Sequence, residues 1–178
     1  MKRQILVYTI GHSTRSADAF VALLKAHGVG CLADIRTVPR SRHNPQFNED
    51  ALAATLREHG IHYERMAGLG GFRRTSAESP NTGWRNLSFR GYADYMQTPA
   101  FADNLEALIA LARECEVAIM CAEAVPWRCH RSLVADALLV HGVAAEEITS
   151  ETKTTPHRLT PFARVDGTAI RYPGLAPG

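Results

Sequence analysis

Residues 117–142, VAIMCAEAVPWRCHRSLVADALLVHG, decide how this chain is read. Val117, Ala118, Ile119 and Met120 form an apolar run of the kind that makes a buried strand. The run stops at Cys121-Ala122-Glu123, and Pro126 lies in the loop that follows. Cys129-His130-Arg131 then opens a helix, SLVADALLVHG, which Gly142 ends. A strand, a loop and a helix N-terminus in succession mark the place where α/β proteins hold ligands, because the first helical N–H groups are free and the dipole is positive there. Two thiols, a carboxylate, an imidazole and two arginines fall within the eleven residues 121–131.

The same alternation runs along most of the chain. ILVYTI (5–10) reads as a first strand ended by Gly11, and Ser16 or Ser13 can cap a helix over about 17–27. VGCLADIR (29–36) is a second strand that Pro39 prevents from continuing. Asn48 caps a helix over about 49–59, closed by Gly60. IHYERM (61–66) is a half-buried third strand. Residues 67–90 form a long connection rich in Gly, Arg, Ser and Pro, in which Trp84 and Phe89 suggest packing; loops of that length in small domains are commonly functional or disordered. A helical region begins at Gly91, and after Pro99 a strong helix reaches about Glu114. EEITS (146–150) is a last short strand.

Strands alternating with helices predict a single α/β domain over 1–150, a three-layer sandwich with a mostly parallel sheet of about five strands. Residues 151–178 carry four prolines and little periodicity, and are expected to be an extended tail packed on the domain or trailing from it. Right-handed crossovers place the loops that follow the strands on one edge. Gly11-His12-Ser13, Asp34 to Arg42, the 67–90 connection and Cys121 to Arg131 would meet there.

Composition narrows the function classes. The chain has 178 residues, 46% of them hydrophobic, enough for one full core. No stretch approaches eighteen consecutive apolar residues, so no membrane span is expected. MKRQILVYTIGHS leads into a polar turn rather than a small-residue cleavage site, and reads as a first strand rather than a signal peptide. A cytoplasmic location is expected. Net charge is only +2, which argues mildly against extended duplex binding. Positive charge is nearly all arginine, whose planar fork suits phosphates and carboxylates. Arg36, Arg40 and Arg42 cluster in one loop, Arg73, Arg74, Arg85 and Arg90 in a second, and Arg128 and Arg131 in a third. Cys31 and Cys115 read as packed residues, whereas Cys121 and Cys129 flank the central loop.

Five motifs stand in one order: TIGHS (9–13), DIRTVPRSR (34–42), GIHYERMAGLGG (60–71), FRGYADYM (89–96) and CAEAVPWRCHR (121–131). In that order they resemble the family called domain of unknown function 488, over about residues 5–150. The resemblance implies an α/β fold and a site built from the aspartate-arginine pair Asp34 and Arg36 and from Cys121 to Arg131. It supplies no reaction, and residues 151–178 lie outside it.

The residues themselves leave several chemistries open. Gly11 permits a tight turn, His12 is a candidate base, and Ser13 a ligand contact or helix cap. Asp34 and Arg36 share one side of a strand, where they form either a structural salt bridge or an oriented arginine for an anion. Arg42 adds a donor, and Tyr92 offers a phenol. For Cys121, Glu123, Cys129, His130 and Arg131, one reading is an oxyanion or phosphate site. Arg131, His130 and the helix amides would hold the ligand, with Glu123 as acid or base.

A second reading is thiol chemistry, in which a cysteine after a strand and an arginine at a helix start activate a thiolate. Here the spacing from Cys121 to Arg128 is one residue longer than C-x5-R and the loop has no glycines. A third is metal binding, but the spacing fits no common zinc pattern. Packed, inert cysteines with a Glu123–Arg131 ion pair would explain the segment without function. In the 67–90 connection, Trp84 or Phe89 would stack on a base while arginines meet phosphates.

The reading that follows is an enzyme acting on a phosphorylated ligand, a nucleotide or nucleic acid. Its catalytic candidates are His12, Glu123, Cys121 and Cys129. Its ligand-binding candidates are Gly11, Ser13, Asp34, Arg36, Arg42, Tyr92, His130 and Arg131. No metal site is assigned and no motif names a cofactor. The competing readings are a non-catalytic nucleic-acid-binding module and a cysteine-dependent phosphatase or sulfurtransferase-like enzyme.

Overall fold

The computed structural model describes residues 3–174. Eight strands and five α-helices follow one another among these residues. The first part runs β1 (Leu6–Gly11), α1 (Ala17–Ala26), β2 (Cys31–Asp34), α2 (Glu49–Glu58), β3 (His62–Arg65), α3 (Leu87–Tyr95) and α4 (Pro99–Glu114). Then come β4 (Val117–Cys121), α5 (Arg131–Val140), β5 (Ala144–Ile148), β6 (Thr154–Pro156), β7 (Arg164–Asp166) and β8 (Ala169–Arg171). The main sheet has six strands in the order β3-β2-β4-β1-β5-β6; the first five are parallel and β6 pairs antiparallel to β5.

Two apolar layers cover the sheet. Phe20, Val21, Leu24, Leu52 and Leu56 from α1 and α2 pack with Ile10, Leu32 and Met120 on one face. Tyr92, Phe101, Leu105, Leu108, Leu133 and Leu138 from α3, α4 and α5 pack with Val7, Ala33, Val117 and Ile119 on the other. Neighbouring strand residues thus point to opposite layers, as the pleat requires. β4 is buried along its whole length, which explains why it reads as a continuous apolar run rather than an alternating one. The three-layer α/β architecture expected from the sequence is therefore present.

The 67–90 connection packs in part, as Trp84 and Phe89 suggested, but the helix expected from Gly91 begins earlier. The connection contains a 3-10 turn at Ala67–Leu69, and α3 starts at Leu87, because the Asn86 side chain accepts from the N–H groups of Ser88 and Phe89. Asp94 of α3 pins its middle by accepting from the Thr75 hydroxyl (2.8 Å), the Ser79 hydroxyl and the Asn81 amide (2.7 Å).

Residues 151–174 pack on the domain, one of the two arrangements expected, and add strands that were not expected; residues 175–178 lie outside the described region. Residues 151–174 supply β6 and the β7–β8 hairpin, and bury Ala163, Ile170 and Tyr172 against the core. The anchor is Asp136, fully buried on α5. It accepts from His157 Nε2 (2.7 Å), the Thr160 amide (3.1 Å) and hydroxyl (2.7 Å), and the Tyr172 hydroxyl (2.8 Å). The Asn81 side chain accepts from the Tyr172 N–H at 2.9 Å, tying the C-terminal segment to the long connection as well. Four donors converging on one buried carboxylate cannot be read from local periodicity.

No helix among the described residues is long and apolar enough to cross a membrane.

Removing the charge of Asp136 leaves these donors mismatched around a buried amide. Asp136→Asn is expected to destabilise the protein by about 1–3 kcal/mol in urea unfolding. It should also expose the 157–171 segment to trypsin at Arg158 and Arg164 faster than in the parent. An unchanged digestion pattern would separate Asp136 from the anchoring of this segment.

Candidate functional site

The parallel strands bring their C-terminal ends to one edge, and a cleft of ≈ 530 Å³ opens there. Its lining comes from the three loops after β2, β3 and β4: Arg36, Val38 and Arg40; Gly71 and Phe72; and Cys121, Glu123, Arg128, Cys129 and His130, with Tyr92 of α3 beneath. The β1 loop joins from the side. His12 N–H donates to Cys121 O (2.9 Å) and Ser13 N–H to Ala122 O (3.0 Å), so β1 continues its pairing past its end. Gly11 is required for that approach, because a Cβ there would collide with the Glu123 carbonyl.

Arg36 is the best-defined donor. Asp34 holds it in a two-pronged grip, accepting from Nε at 2.9 Å and from Nη2 at 2.7 Å. Tyr63 fixes the carboxylate in turn, its hydroxyl donating to Asp34 Oδ2 at 2.6 Å. Burial pushes the Tyr63 phenol pKa up, so it stays a donor. Only Nη1 of Arg36 is left without a protein oxygen; its sole neighbour of note is His12 Nε2 at 3.5 Å. Both charges of the pair are buried, so Arg36 is held in place and has one edge to offer.

His12 lies behind Arg36, 2% exposed, stacked on Phe47 with ring centroids 4.3 Å apart. Its Nδ1 is 2.8 Å from Ser13 O, and a carbonyl only accepts, so Nδ1 carries the proton and the Nε2 lone pair faces Arg36. Burial lowers the His12 pKa, and the charges of Arg36 and Arg15 lower it further. His12 is therefore neutral and touches the cleft only through Arg36. Ser13 holds a left-handed backbone, φ 51°, which non-glycine residues seldom adopt.

Arg131, expected on the ligand, lies elsewhere. It is fully buried, and its five N–H groups all meet protein acceptors. Nε and Nη2 donate to the Glu147 carboxylate (3.2 and 2.6 Å), Nη2 also to Ala124 O (3.0 Å), and Nη1 to Glu123 O and to Cys121 Sγ (2.7 Å). The amides that open α5 are likewise taken: Arg131 N–H by Cys129 Sγ (3.4 Å), Ser132 N–H by Cys129 O (3.1 Å) and Leu133 N–H by His130 O (2.9 Å). The salt bridge of Arg131 is thus with Glu147 on β5, not with the Glu123 side chain. Glu123 itself is exposed in the lining, where one carboxylate oxygen accepts from Val125 N–H at 3.4 Å and the other is free.

The sulfurs of Cys121 and Cys129 are in contact at the cleft floor. His130 adjoins them, its Nδ1 3.6 Å from Cys129 Sγ. Nε2 of His130 meets Ile35 O at 2.9 Å, so it carries the proton and leaves Nδ1 as a lone pair toward the sulfur. Burial drives His130 from the ordinary 6.5 down to about 4, with the charges of Arg131 and Arg73 adding to the effect. Tyr92 is buried and donates to Leu69 O at 2.7 Å, a structural bond.

A family model for a domain of unknown function, DUF488, matches residues 16–138. The chain belongs to this family. No curated protein and no solved structure matches it. The DUF488 match includes Asp34, Arg36 and the whole Cys121 to Arg131 segment. Gly11, His12, Ser13 and Glu147 lie outside the matched span of this DUF488 protein, although they touch its site.

Several site features escape sequence reasoning. Tyr63 and Glu147 look like ordinary strand residues, and only strand order brings them to Asp34 and Arg131. Trp84 does not face a ligand: it packs with Phe89, Phe162 and Tyr172 at centroid distances of 5.2, 4.9 and 5.4 Å. The exposed aromatic of the lining is Phe72, 82% exposed and in a left-handed backbone at φ 57°, with Phe89 half-buried beside it. Arg73 turns inward over the Tyr95 ring, 3.7 Å from its centroid. Arg42 is exposed and outside the lining. No group of three or more His, Cys, Asp or Glu among the described residues is arranged to hold a metal.

The neutral, buried state of His130 makes stability depend on pH. Between its folded value near 4 and the ordinary 6.5, the unfolded chain binds a proton that the folded chain does not. The stability this gives is full above pH 6.5 and is lost as pH falls toward 4, in total about 3 kcal/mol. Chemical denaturation at pH 7 and pH 4.5 should show a smaller loss in His130→Gln than in the parent. Equal losses would contradict the assignment.

Proposed function

We propose that this protein is an enzyme acting on a phosphorylated ligand, a nucleotide or a nucleic-acid end, bound at the C-terminal edge of the sheet. The observation that carries the reading is the Arg36 clamp. A guanidinium gripped by Asp34 through Nε and Nη2, buried in the wall of an open cleft and with Nη1 on no protein oxygen, is preorganised for an oxyanion and loses little freedom on binding. Arg40 and Arg128, both exposed in the lining, add charge where the rest of the anion would extend. Phe72 at the mouth offers an uncovered ring on which a base can stack. Its left-handed backbone, like that of Ser13, is an energetic liability of the kind that collects at functional sites.

Glu123 favours an enzyme over a binding module. A free carboxylate among three arginines weakens the hold on an anion, so its presence there is better explained by proton transfer. In this assignment Arg36 holds the anion, Asp34 and Tyr63 position Arg36, and Glu123 exchanges protons. His12 supports Arg36 from behind through its Nε2 lone pair. Arg131 acts on the site by shaping its loop.

The test is thermal stability against a panel of nucleoside phosphates, inorganic phosphate and short single-stranded DNA and RNA, followed by turnover assays on whichever class shifts the midpoint. Arg40→Ala, an exposed change, should weaken binding about tenfold, and Arg36→Ala about 10- to 100-fold, the range for one charge-assisted hydrogen bond. Glu123→Gln should keep or strengthen binding and lower turnover at least about 100-fold. Full turnover in Glu123→Gln would remove Glu123 from proton transfer, binding without turnover by the parent would turn the reading toward a non-catalytic nucleic-acid-binding module, and binding untouched by either arginine change would remove the cleft from the account.

A further inference from the structure

The chain has two cysteine pairs in different surroundings. Cys31 and Cys115 sit near the N-terminal edge of the sheet, where burial and their mutual hydrogen bond push the Cys31 thiol up to about 12. Cys31 is held protonated and unreactive. Cys121 and Cys129 lie at the opposite edge, sulfur against sulfur, on the floor of an open cleft. A guanidinium nitrogen of Arg131 is 2.7 Å from Cys121 Sγ, an arrangement that favours the thiolate. Cys129 Sγ accepts the Arg131 N–H at the start of α5, and the unprotonated Nδ1 of His130 stands 3.6 Å away as an acceptor for its S–H. These surroundings serve the reduced pair, while the direct contact serves the bonded one. A 178-residue domain with a complete core has no need of a permanent staple.

We propose that Cys121 and Cys129 are a reversible dithiol–disulfide couple, oxidised and reduced by exchange with a low-molecular-weight thiol and its disulfide, and that their bond ties the two ends of the loop edging the cleft. In the first step Cys129 releases its proton to solvent, and its thiolate attacks one sulfur of the small disulfide. The old S–S bond breaks, and the departing thiolate takes up a proton from solvent as a free thiol. In the second step the Cys121 thiolate attacks Cys129 Sγ of the mixed disulfide and expels the second small thiolate, which takes the proton Cys121 released. The protein loses two hydrogens and the small disulfide becomes two thiols. Reduction runs the same steps backwards. The two cysteines are separated by 8 in sequence, and the ring they close contains Glu123 and Arg128, both of the lining. The couple therefore sets the mobility of residues that face the cleft, whatever ligand the cleft takes.

The wild-type chain is equilibrated in mixtures of reduced and oxidised glutathione, quenched in acid, alkylated and digested with trypsin without reduction. Cleavage after Arg113, Arg128 and Arg131 separates the two cysteines onto peptides 114–128 and 129–131. The expected result is a cross-link between these peptides through Cys121, with Cys115 alkylated, that rises and falls reversibly with the glutathione ratio. Cys31→Ser/Cys115→Ser should titrate in the same way, and Cys121→Ser should trap glutathione on Cys129. Hydrogen exchange of the 122–128 amides should slow on the order of tenfold in the oxidised form. Both thiols alkylated at every ratio, a bond that no ratio reduces, or a cross-link through Cys115 would each overturn the couple. Unchanged exchange would overturn its hold on the loop. None of these readouts needs a bound ligand, so they stand or fall apart from the proposed function.

Discussion

The buried guanidinium of Arg131 is the constraint on which the functional edge depends. Taking such a charge out of water costs several kcal/mol, and breaking its pairing would leave that cost unopposed. The offset comes from five N–H groups that all find acceptors on three other segments. Glu147 supplies the countercharge from β5, Glu123 and Ala124 supply carbonyls from the loop after β4, and Cys121 supplies a sulfur from its last residue. Thr9 of β1 donates to Glu147 in turn. The start of α5 and the ends of β1, β4 and β5 are thereby locked in one arrangement, and the loop that carries Glu123 and Arg128 can curve over the cleft without a regular element of its own.

A second buried guanidinium, that of Arg36, obeys the opposite rule. Asp34 and Tyr63 fix its direction but do not exhaust its donors. The two arginines share a chemistry and differ in how many hydrogen-bonding edges remain. One is structural because none remains; the other is available because one does. The neutral histidines fit the same logic. His12 backs Arg36 and His130 backs Cys129, each with its ring N–H given to a carbonyl and its lone pair turned toward the reactive group. Burial keeps both uncharged, so neither adds positive charge beside a neighbouring arginine.

The architecture was legible because its signals are local. Apolar runs bounded by glycine and proline marked the strands, amphipathic spacing marked the helices, and alternation of the two implied which loops converge. The Asp34–Arg36 pair followed from two-residue periodicity in a strand. What stayed hidden depends on partners distant in sequence. Nothing near Asp136 announces that His157, Thr160 and Tyr172 will reach it, and so the C-terminal strands read as a tail. Arg131 looked like a ligand donor because its local setting, a helix N-terminus after a strand, is the usual one for that role. Glu147, sixteen residues on, determined otherwise. The exposed ring of Phe72 was masked by its neighbours, since Trp84 and Phe89 are the aromatics that a pattern would favour; Trp84 is packed away, and half-buried Phe89 lines the cleft beside Phe72.

The central claim is that an anionic ligand enters at the edge where Arg36 keeps a free side. An amide-resolved NMR titration with adenosine monophosphate, and with inorganic phosphate alone, addresses it most directly. The account predicts chemical-shift changes concentrated at Arg36 to Arg40, Gly71 to Phe72 and Cys121 to His130, with the nucleotide adding effects at Phe72 that phosphate lacks. Shifts clustered instead at the opposite end of the sheet, in the open hollow lined by Arg3, Tyr8 and Arg113, or no saturable shifts at all, would contradict it.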